Sequence, residues 1–302
     1  MKKLLSLLLL LGSCGEGNPV IPDPLPTPNP SPTPPIVNHI AFPLRVSGTR
    51  FIDASGKVVH LKGAIAVNKA WGWPSGPTGS KLDYMIEAGI NYTEVRLGPQ
   101  SAQGPDPEMS PENGLALVES SVIWAAAGGL VVGVDVIDGW VMKHDYNFFG
   151  WDCSTTAFRA IREQTEWAER VARRLGPHRN VIFLTSNEGF DCPHSTGSSK
   201  DWEFSIRDAI RRGSPGSLIG TNSHGGQIEK GFDFVARHQD TAFIYNIGRP
   251  VMVDETGPNL TCEDTLREAR RARASGSSFH LWWGDVMDEP EFIQCMYKVG
   301  AL

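Results

Sequence analysis

The sequence predicts an α/β fold, a (β/α)8 TIM barrel, and three observations support this prediction. Short runs rich in β-branched residues alternate with helical patterns along the chain, an order that is typical of a parallel sheet. Eight such runs occur between Val58 and Trp283. The region that contains them, residues 38–302, is close in length to the about 250 residues that a single barrel of this class takes.

The predicted strands end in polar residues, and helical patterns separate most of them. The strands are Val58–Val67, Asn91–Leu97, Leu130–Val136, Asn180–Thr185, Ser217–Thr221, Phe232–His238, Arg249–Asp254 and Ser278–Trp283. The helical patterns are Ser80–Ala88, Leu115–Ala127, Ser154–Leu175, Lys200–Arg211 and, after a capping-box pattern at Thr261, Leu266–Ala274. Few residues separate the fifth, sixth and seventh strands, so we expect short or missing helices there.

A doubly wound open sheet is the alternative, but no G-x-G-x-x-G motif follows the first strand to support it.

The start of the chain resembles an export signal. A basic start precedes the apolar run Leu4–Leu11, which is shorter than the about 20 residues needed to cross a bilayer. This pattern is typical of a signal peptide, and Leu11-Gly12-Ser13-Cys14 resembles the lipobox of bacterial lipoproteins. We therefore expect a signal peptide at residues 1–13 and a lipid on Cys14. An ordinary signal peptide with a chance cysteine is the alternative.

Residues 14–37 form a predicted linker. Nine prolines lie between Pro19 and Pro35, and proline-rich sequence favours extended polyproline II, a semi-rigid spacer. A disordered tail with no role beyond solubility is the alternative. We expect a folded domain at residues 38–302, exported and anchored through Cys14 to a bacterial membrane, at the outer surface or in the periplasm.

The number and spacing of the cysteines indicate disulfides more than a metal site. The cysteines other than Cys14 are Cys153, Cys192, Cys262 and Cys295. An even number in an exported chain predicts two disulfides. Four cysteines allow three connectivities. We expect the pairs Cys153–Cys192 and Cys262–Cys295, because each pair closes a short stretch of chain. Buried free thiols are the alternative. No C-x-x-C motif occurs in the sequence, so we do not expect a zinc site.

The net charge of −6 argues against nucleic acid as a partner, and we expect a monomer without metal or organic cofactor.

Two glutamates follow apolar strands. Catalytic residues of a (β/α)8 barrel lie at the carboxyl ends of its strands, and Glu188 and Glu255 follow the fourth and seventh predicted strands. A buried carboxylate is costly unless it is paired or used. Two carboxylates at a barrel mouth are what glycoside hydrolysis requires. Structural ion pairs with Arg96 or Arg237 are the alternative.

Several motifs resemble the retaining glycoside hydrolases of clan A, most of all family 5, the cellulase family. Asn187-Glu188 is similar to the Asn-Glu pair of that family's fourth strand. Arg249–Gly257 resembles its seventh-strand motif, and Phe279–Asp285 its eighth strand. The resemblance implies that Glu188 is the general acid/base and Glu255 the nucleophile of a double displacement with retention of configuration.

The resemblance and the strand ends also indicate substrate-binding residues. Asn187 is expected to bond the sugar 2-hydroxyl, and Arg96 to keep the nucleophile ionised. Trp283 is expected to stack on a sugar, with Trp282 as the alternative. The remaining candidates lie at strand ends or in loops: His238, His224, Asp138, Trp71 and Trp140. For each of them a structural role is the alternative.

Departures from the family pattern affect the expected substrate more than the reaction. Gly189 stands where the family has Pro, Asp138 lies near the place of a missing third-strand His, and Gln239-Asp240 follows His238 where the family has His-x-Tyr. We expect a glycoside hydrolase that cleaves a β-linked polysaccharide or oligosaccharide. A non-catalytic glycan-binding surface lipoprotein on an inactive barrel is the alternative, and transglycosylation would use the same residues.

Overall fold

Strands and helices alternate along the chain in the computed structural model. The structure describes residues 40–64, 79–97, 111–137, 158–187, 199–222, 231–238, 247–256, 261–281 and 290–302. The strands are β1 (Arg45–Ser47), β2 (Arg50–Ile52), β3 (Val58–Val59), β4 (Lys62–Ala64), β5 (Tyr92–Arg96), β6 (Val131–Asp135), β7 (Val181–Leu184), β8 (Ile219–Asn222), β9 (Phe234–His238), β10 (Val251–Thr256) and β11 (Ser278–Leu281). The helices are α1 (Gly79–Glu87), α2 (Pro111–Ala127), α3 (Phe158–Leu175), α4 (Ser199–Gly213), α5 (Cys262–Ala274) and α6 (Pro290–Gly300).

Strands β4 to β11 form a closed parallel barrel in chain order. Each strand pairs with the next, and β11 pairs with β4 from Phe279↔Lys62 to Leu281↔Ala64, which closes the sheet. The longest ladder is that of β5 with β6, from Tyr92↔Val131 to Arg96↔Asp135. The prediction of a (β/α)8 barrel is confirmed, and closure excludes the alternative of an open sheet.

The prediction of a single first strand over Val58–Val67 was wrong. Residues Val58–Val59 belong to a separate antiparallel sheet with the order β1-β2-β3, and the barrel strand is Lys62–Ala64. The hairpin before β3 is held by the Asp53 carboxylate, which accepts from the Ser55 and Lys57 backbone N–H groups at 2.9 and 3.0 Å. Hydrophobic pattern alone does not reveal such a change of partner strand.

The predicted helices occur, with one addition. The Thr261 hydroxyl caps α5 by accepting from the Asp264 backbone N–H, as the capping-box pattern predicts. Between β8 and β10, the described residues 231–233 and 247–250 contain no helix; the other residues of these two connections, where short or missing helices are predicted, lie outside the described ranges. Helix α6 was not predicted; Cys295, Met296 and Val299 bury its inner face.

Alternation along the barrel strands divides the apolar side chains into two clusters. One lies inside the barrel and includes Tyr92, Val131, Ile182, Phe234 and Met252. The other lies between the strands and the helices and includes, among others, Val132, Val134, Trp167, Val171, Phe183, Ile206 and Ala269. Residues one position apart on a strand point to opposite faces, and β5, β6, β7 and β10 each contribute to both clusters.

Tyr92 fills the middle of the barrel because the facing strand positions are glycines. Its side chain is 0% exposed. A Cβ atom added to Gly133 would overlap the Tyr92 hydroxyl, and one added to Gly63 would overlap its ring. These two glycines are therefore required by close approach of the ring, not by backbone conformation.

One disulfide joins the beginning of α5 to α6. Cys262 and Cys295 have a Cα–Cα distance of 5.6 Å and are bonded, which confirms one of the two predicted pairs. Cys153 and Cys192 lie outside the described residues, as do Cys14 and the predicted signal peptide and linker, so those predictions stand untested. Among the described helices, none is long and apolar enough to span a membrane.

We predict that Gly133→Ala lowers the free energy of unfolding by about 1–3 kcal/mol, the usual cost of overpacking a core. The added methyl group must displace the Tyr92 hydroxyl. Gly216→Ala is the matched control, because Gly216 has no atom within 4 Å of the added Cβ, and it should change stability by less than about 0.5 kcal/mol. Denaturant unfolding of both variants measures the difference. Equal free energies of unfolding for the two variants would contradict the close packing of Tyr92 against Gly133.

We also predict that Cys262→Ala with Cys295→Ala lowers the free energy of unfolding by about 2–4 kcal/mol, since the disulfide constrains the unfolded chain. In the wild-type protein purified from an oxidising compartment, peptide mapping without reduction should recover a linked Cys262–Cys295 peptide. Recovery of both cysteines as alkylated thiols would contradict the pairing.

Candidate active site

Six polar side chains come together inside the barrel above the apolar interior cluster. They occupy inward-facing positions of β5, β6, β10 and β11: Tyr92, Glu94, Arg96, Asp135, Asp254 and His280. Five of them are 0% exposed, and the Arg96 side chain is 13% exposed. We call these six residues the interior polar cluster. The cluster residues come from β5 and β6 and from β10 and β11, which β4 joins in the closed sheet. The cluster therefore depends on closure of the barrel.

Strand β5 contributes half of the cluster through its two-residue period. Tyr92, Glu94 and Arg96 share the inward face. The Tyr92 hydroxyl donates to Glu94 Oε2 at 2.8 Å. Arg96 Nε lies 3.5 Å from Glu94 Oε1 and 3.9 Å from Asp135 Oδ2 on the neighbouring strand. The guanidinium thus lies between two buried carboxyl groups.

Strands β10 and β11 contribute a buried carboxylate–imidazole pair. His280 Nδ1 donates to Asp254 Oδ1 at 2.6 Å and lies 3.6 Å from Glu94 Oε2. The Tyr92 and His280 rings meet edge to face, with centroids 5.3 Å apart. The imidazole is therefore held by contacts on two sides.

Burial and neighbouring charge set the protonation of the cluster. Burial and the charge of Glu94 raise the pKa of Asp135 well above its usual range, which favours the neutral acid. The same two causes raise the pKa of Tyr92, so its hydroxyl stays a donor. Burial alone would lower the pKa of His280, but Glu94 and the bond to Asp254 outweigh it and raise the pKa. The cluster thus favours a protonated imidazole beside Asp254.

A β-bulge lies at the carboxyl end of β10. Val253 pairs with Phe279, but Thr256 pairs with Leu281, so β10 has one more residue than β11 over this span. Asp254 and Glu255 are the two residues between these pairs. Bulges are common beside active sites, where they change the direction of a side chain. The bulge therefore marks the backbone position of Glu255 as irregular.

The structure describes only part of the predicted site. Asn187 is 1% exposed, and its backbone N–H donates to the Ile137 carbonyl at 2.9 Å, which fixes the residue after β7. Arg96 lies in the interior polar cluster with Glu94 and Asp135 as carboxylate neighbours. Glu255 and His238 are described by their backbone in β10 and β9. The residues outside the described ranges are Glu188, Asp138, Trp71, Trp140, His224 and Trp283.

Sequence reasoning missed Glu94 and His280 because its candidates lie at strand ends or in loops, not within strands. Both lie inside a strand, two positions before a residue that was considered: Glu94 precedes Arg96, and His280 precedes Trp282. The two-residue period was the available signal, because it places Glu94 on the same face as Arg96.

Three members of the cluster have the ligand types of a cation site. Glu94, Asp254 and His280 each offer one ligand atom, and these atoms lie within 4.8 Å of one another. However, His280 Nδ1 is hydrogen-bonded to Asp254 Oδ1, and the Tyr92 hydroxyl donates a hydrogen bond to Glu94 Oε2. A cation would have to displace the Nδ1 proton, because a ligating imidazole nitrogen must be deprotonated. Glu94 Oε2 and His280 Nδ1 are thus engaged in hydrogen bonds, whereas Glu94 Oε1 and His280 Nε2 have no hydrogen-bond partner among the described residues.

Comparison with solved structures shows the same fold in carbohydrate-active enzymes. A β-glucanase from Saccharophagus degradans, solved in complex with cellotetraose, is 15% identical with a TM-score of 0.65, over 91% of this chain and 98% of that one. A β-mannanase from the blue mussel Mytilus edulis is 14% identical with a TM-score of 0.63, over 87% and 97%. An endoglucanase catalytic domain from Thermobifida fusca is 15% identical with a TM-score of 0.61, over 85% and 96%.

Sequence comparison identifies the family. No curated protein sequence matches the chain significantly. The model of the cellulase family, glycosyl hydrolase family 5, matches residues 52–261, which is more than half of the chain and contains both predicted catalytic glutamates. The chain belongs to this family, and the protein is a glycoside hydrolase.

Proposed function

We propose that the protein hydrolyses a β-linked polysaccharide or oligosaccharide with retention of configuration, with Glu255 as nucleophile and Glu188 as general acid/base. The observation that carries the proposal is the position of Glu255 in a β-bulge at the carboxyl end of β10, next to the buried interior polar cluster. Glu188 directly follows Asn187, which is fixed at the end of β7. The family match supports hydrolysis over glycan binding alone.

In this mechanism the two glutamates act in two steps. Glu255 attacks the anomeric carbon while Glu188 protonates the leaving oxygen, which forms a covalent glycosyl-enzyme. Glu188 then removes a proton from water, and the water displaces Glu255. Each displacement inverts the anomeric centre, so the product retains its configuration. The two carboxyl groups have to lie about 5–5.5 Å apart for this reaction.

We propose that the two cations of the interior polar cluster, which lie among its three carboxyl groups, favour an ionised nucleophile. Arg96 and the protonated imidazole of His280 both lie in the cluster that contains Asp254, the neighbour of Glu255. Nearby positive charge favours the carboxylate form of an acid. An ionised Glu255 is the form that can attack carbon.

Substrate binding is proposed for the remaining predicted residues. We propose that Asn187 bonds the sugar 2-hydroxyl, which its buried, backbone-anchored position supports. The other proposed sugar contacts, from aromatic, histidine and carboxylate side chains, are those of Trp71, Asp138, Trp140, His224, His238 and Trp283. The similar structures include a β-glucanase and a β-mannanase, so glucan and mannan are the first substrates to test.

We also propose that Cys14 carries a lipid and that the enzyme acts from a bacterial membrane surface, as a monomer. The lipobox-like Leu11-Gly12-Ser13-Cys14 and the proline-rich residues that follow support this proposal. A tether of this kind suits a substrate too large to enter the cell.

The two glutamates should respond differently to replacement. Glu255→Ala should lose nearly all activity on every substrate, because no glycosyl-enzyme forms. Glu188→Ala should lower the turnover rate by about 10²- to 10⁴-fold, the contribution of proton transfer. An aryl glycoside whose leaving group needs no proton should still react with this variant. Steady-state rates on both substrate types measure this difference. Glu166→Ala is the control, since Glu166 is 62% exposed on α3, and it should keep wild-type activity.

Azide then separates the roles. With Glu188→Ala, azide needs no deprotonation and should give a glycosyl azide of retained configuration. With Glu255→Ala, azide attacks the substrate directly and should give the inverted product. Opposite stereochemistry in the two variants means that the two roles are exchanged, and full activity in both means that the glutamates are structural.

Cys14→Ser should release the protein from the membrane. The wild-type protein made in a bacterial host should partition into the detergent phase, and the variant into the aqueous phase. A soluble wild-type protein with an intact, unmodified Cys14 would refute the lipid anchor.

A further inference from the structure

We propose that the buried Asp254–His280 pair is a positioning element of the glycosidase site, which holds the β10 bulge and thereby the backbone of Glu255. Asp254 and His280 are positioning residues in this proposal, because they act through Glu255. The proposal rests on the proposed function, since it assigns a role to Glu255 as nucleophile.

The pair ties β10 to β11 at the place where their register changes. Backbone pairing of the two strands shifts between Val253 and Thr256. Asp254 lies within this shift and accepts a hydrogen bond of 2.6 Å from His280 on β11. A bulge disrupts the backbone ladder locally, and here the disruption affects the β10–β11 ladder, while Asp254 still pairs with His238 of β9. The side-chain bond from His280 therefore restrains β10 on the β11 side, where backbone pairing is irregular.

The imidazole is itself fixed from β5. Glu94 Oε2 lies 3.6 Å from His280 Nδ1 and accepts from the Tyr92 hydroxyl at 2.8 Å. Gly63 and Gly133 leave room for the Tyr92 ring, which packs edge to face on His280. The orientation of His280 is therefore set by β5 and transmitted to β10 through Asp254.

Stability alone does not explain the pair. A buried ion pair often contributes no more to stability than apolar residues of the same volume, because desolvation offsets the attraction. The same cluster places four further titratable groups around His280 and Asp254: Tyr92, Glu94, Arg96 and Asp135. Retaining so many charges inside a barrel is costly, whereas a precise nucleophile position requires rigid support beneath it.

Charge gives the pair a second effect on the nucleophile. Arg96 and protonated His280 are the two cations of the cluster, and they face Glu94, Asp135 and Asp254. Loss of the imidazole removes the cation that contacts Asp254, the residue directly before Glu255. Fewer nearby positive charges raise the pKa of a carboxyl group. The acid limb of kcat/KM, which reports ionisation of the nucleophile in the free enzyme, should then move to higher pH.

Two variants of nearly equal size separate the hydrogen bond from the charge. His280→Asn keeps an N–H donor near the position of Nδ1 but has no charge. His280→Leu has neither donor nor charge. On the glucan or mannan that the wild-type enzyme hydrolyses, we expect His280→Leu to lower kcat about 10²-fold, the effect of misplacing a reacting group by about 1 Å, with KM changed by less than about two-fold. His280→Asn should recover most of this loss in kcat.

The pH profile gives the second readout. Both variants should move the acid limb of kcat/KM to higher pH, by about one pH unit, because both lack the positive charge. The double variant Asp254→Ala with His280→Leu should lose no more kcat than His280→Leu alone, since residues of one pair are not additive. A residue that only supports folding would produce neither the recovery in His280→Asn nor the shift of the acid limb.

Each result decides the proposal. Wild-type kcat in His280→Leu, equal losses in His280→Leu and His280→Asn, or an unmoved acid limb in both would overturn it. If His280→Leu does not fold, the acid limb of His280→Asn decides alone. A divalent ion bound in stoichiometric amount by the wild-type protein and lost in His280→Leu would overturn it in favour of a metal site. Absence of any wild-type turnover would instead overturn the proposed function.

Discussion

Compensation of buried charge inside the barrel is the constraint on which the proposed site depends. Three carboxyl groups, a guanidinium, an imidazole and a phenol share a space from which water is almost excluded. An unpaired charge there would cost several kcal/mol, so every group has to lie near a partner. The contacts between Tyr92, Glu94, Asp254 and His280 meet this requirement for four of the groups, and Arg96 lies near the carboxylates of Glu94 and Asp135. They also fix the relative positions of β5, β10 and β11.

The apolar layer beneath makes this arrangement possible. Tyr92 belongs both to the interior apolar cluster and, through its hydroxyl, to the polar cluster above it. Glycines on β4 and β6 let its ring lie across the barrel. Packing of the ring thus determines where Glu94 stands, and Glu94 in turn contacts Arg96 and His280. A change at a glycine far from solvent is therefore transmitted to the polar cluster.

The fold was predictable from the sequence to a greater degree than the site. Period-two runs such as Asn91–Leu97 and the helical face of Ser154–Leu175 depend on local pattern, and both elements were found within a few residues of the predicted bounds. The division of Val58–Val67 between two sheets depends on partner strands, which local pattern does not encode. The bulge at Glu255 likewise depends on register with β11. His280 was missed because a histidine within an apolar strand has no distinctive pattern until its partner, Asp254, is known.

The proposed nucleophile, Glu255, lies at the irregular end of β10, and one measurement tests its role directly. An activated 2-deoxy-2-fluoro glycoside of glucose or mannose slows both steps of a retaining reaction, the second more than the first, so that the glycosyl-enzyme accumulates. Peptide mass spectrometry of the inactivated protein then locates the sugar. We predict one fluorosugar per chain, attached to Glu255. A sugar on another residue, or an active enzyme whose product is inverted and which forms no covalent adduct, would contradict it.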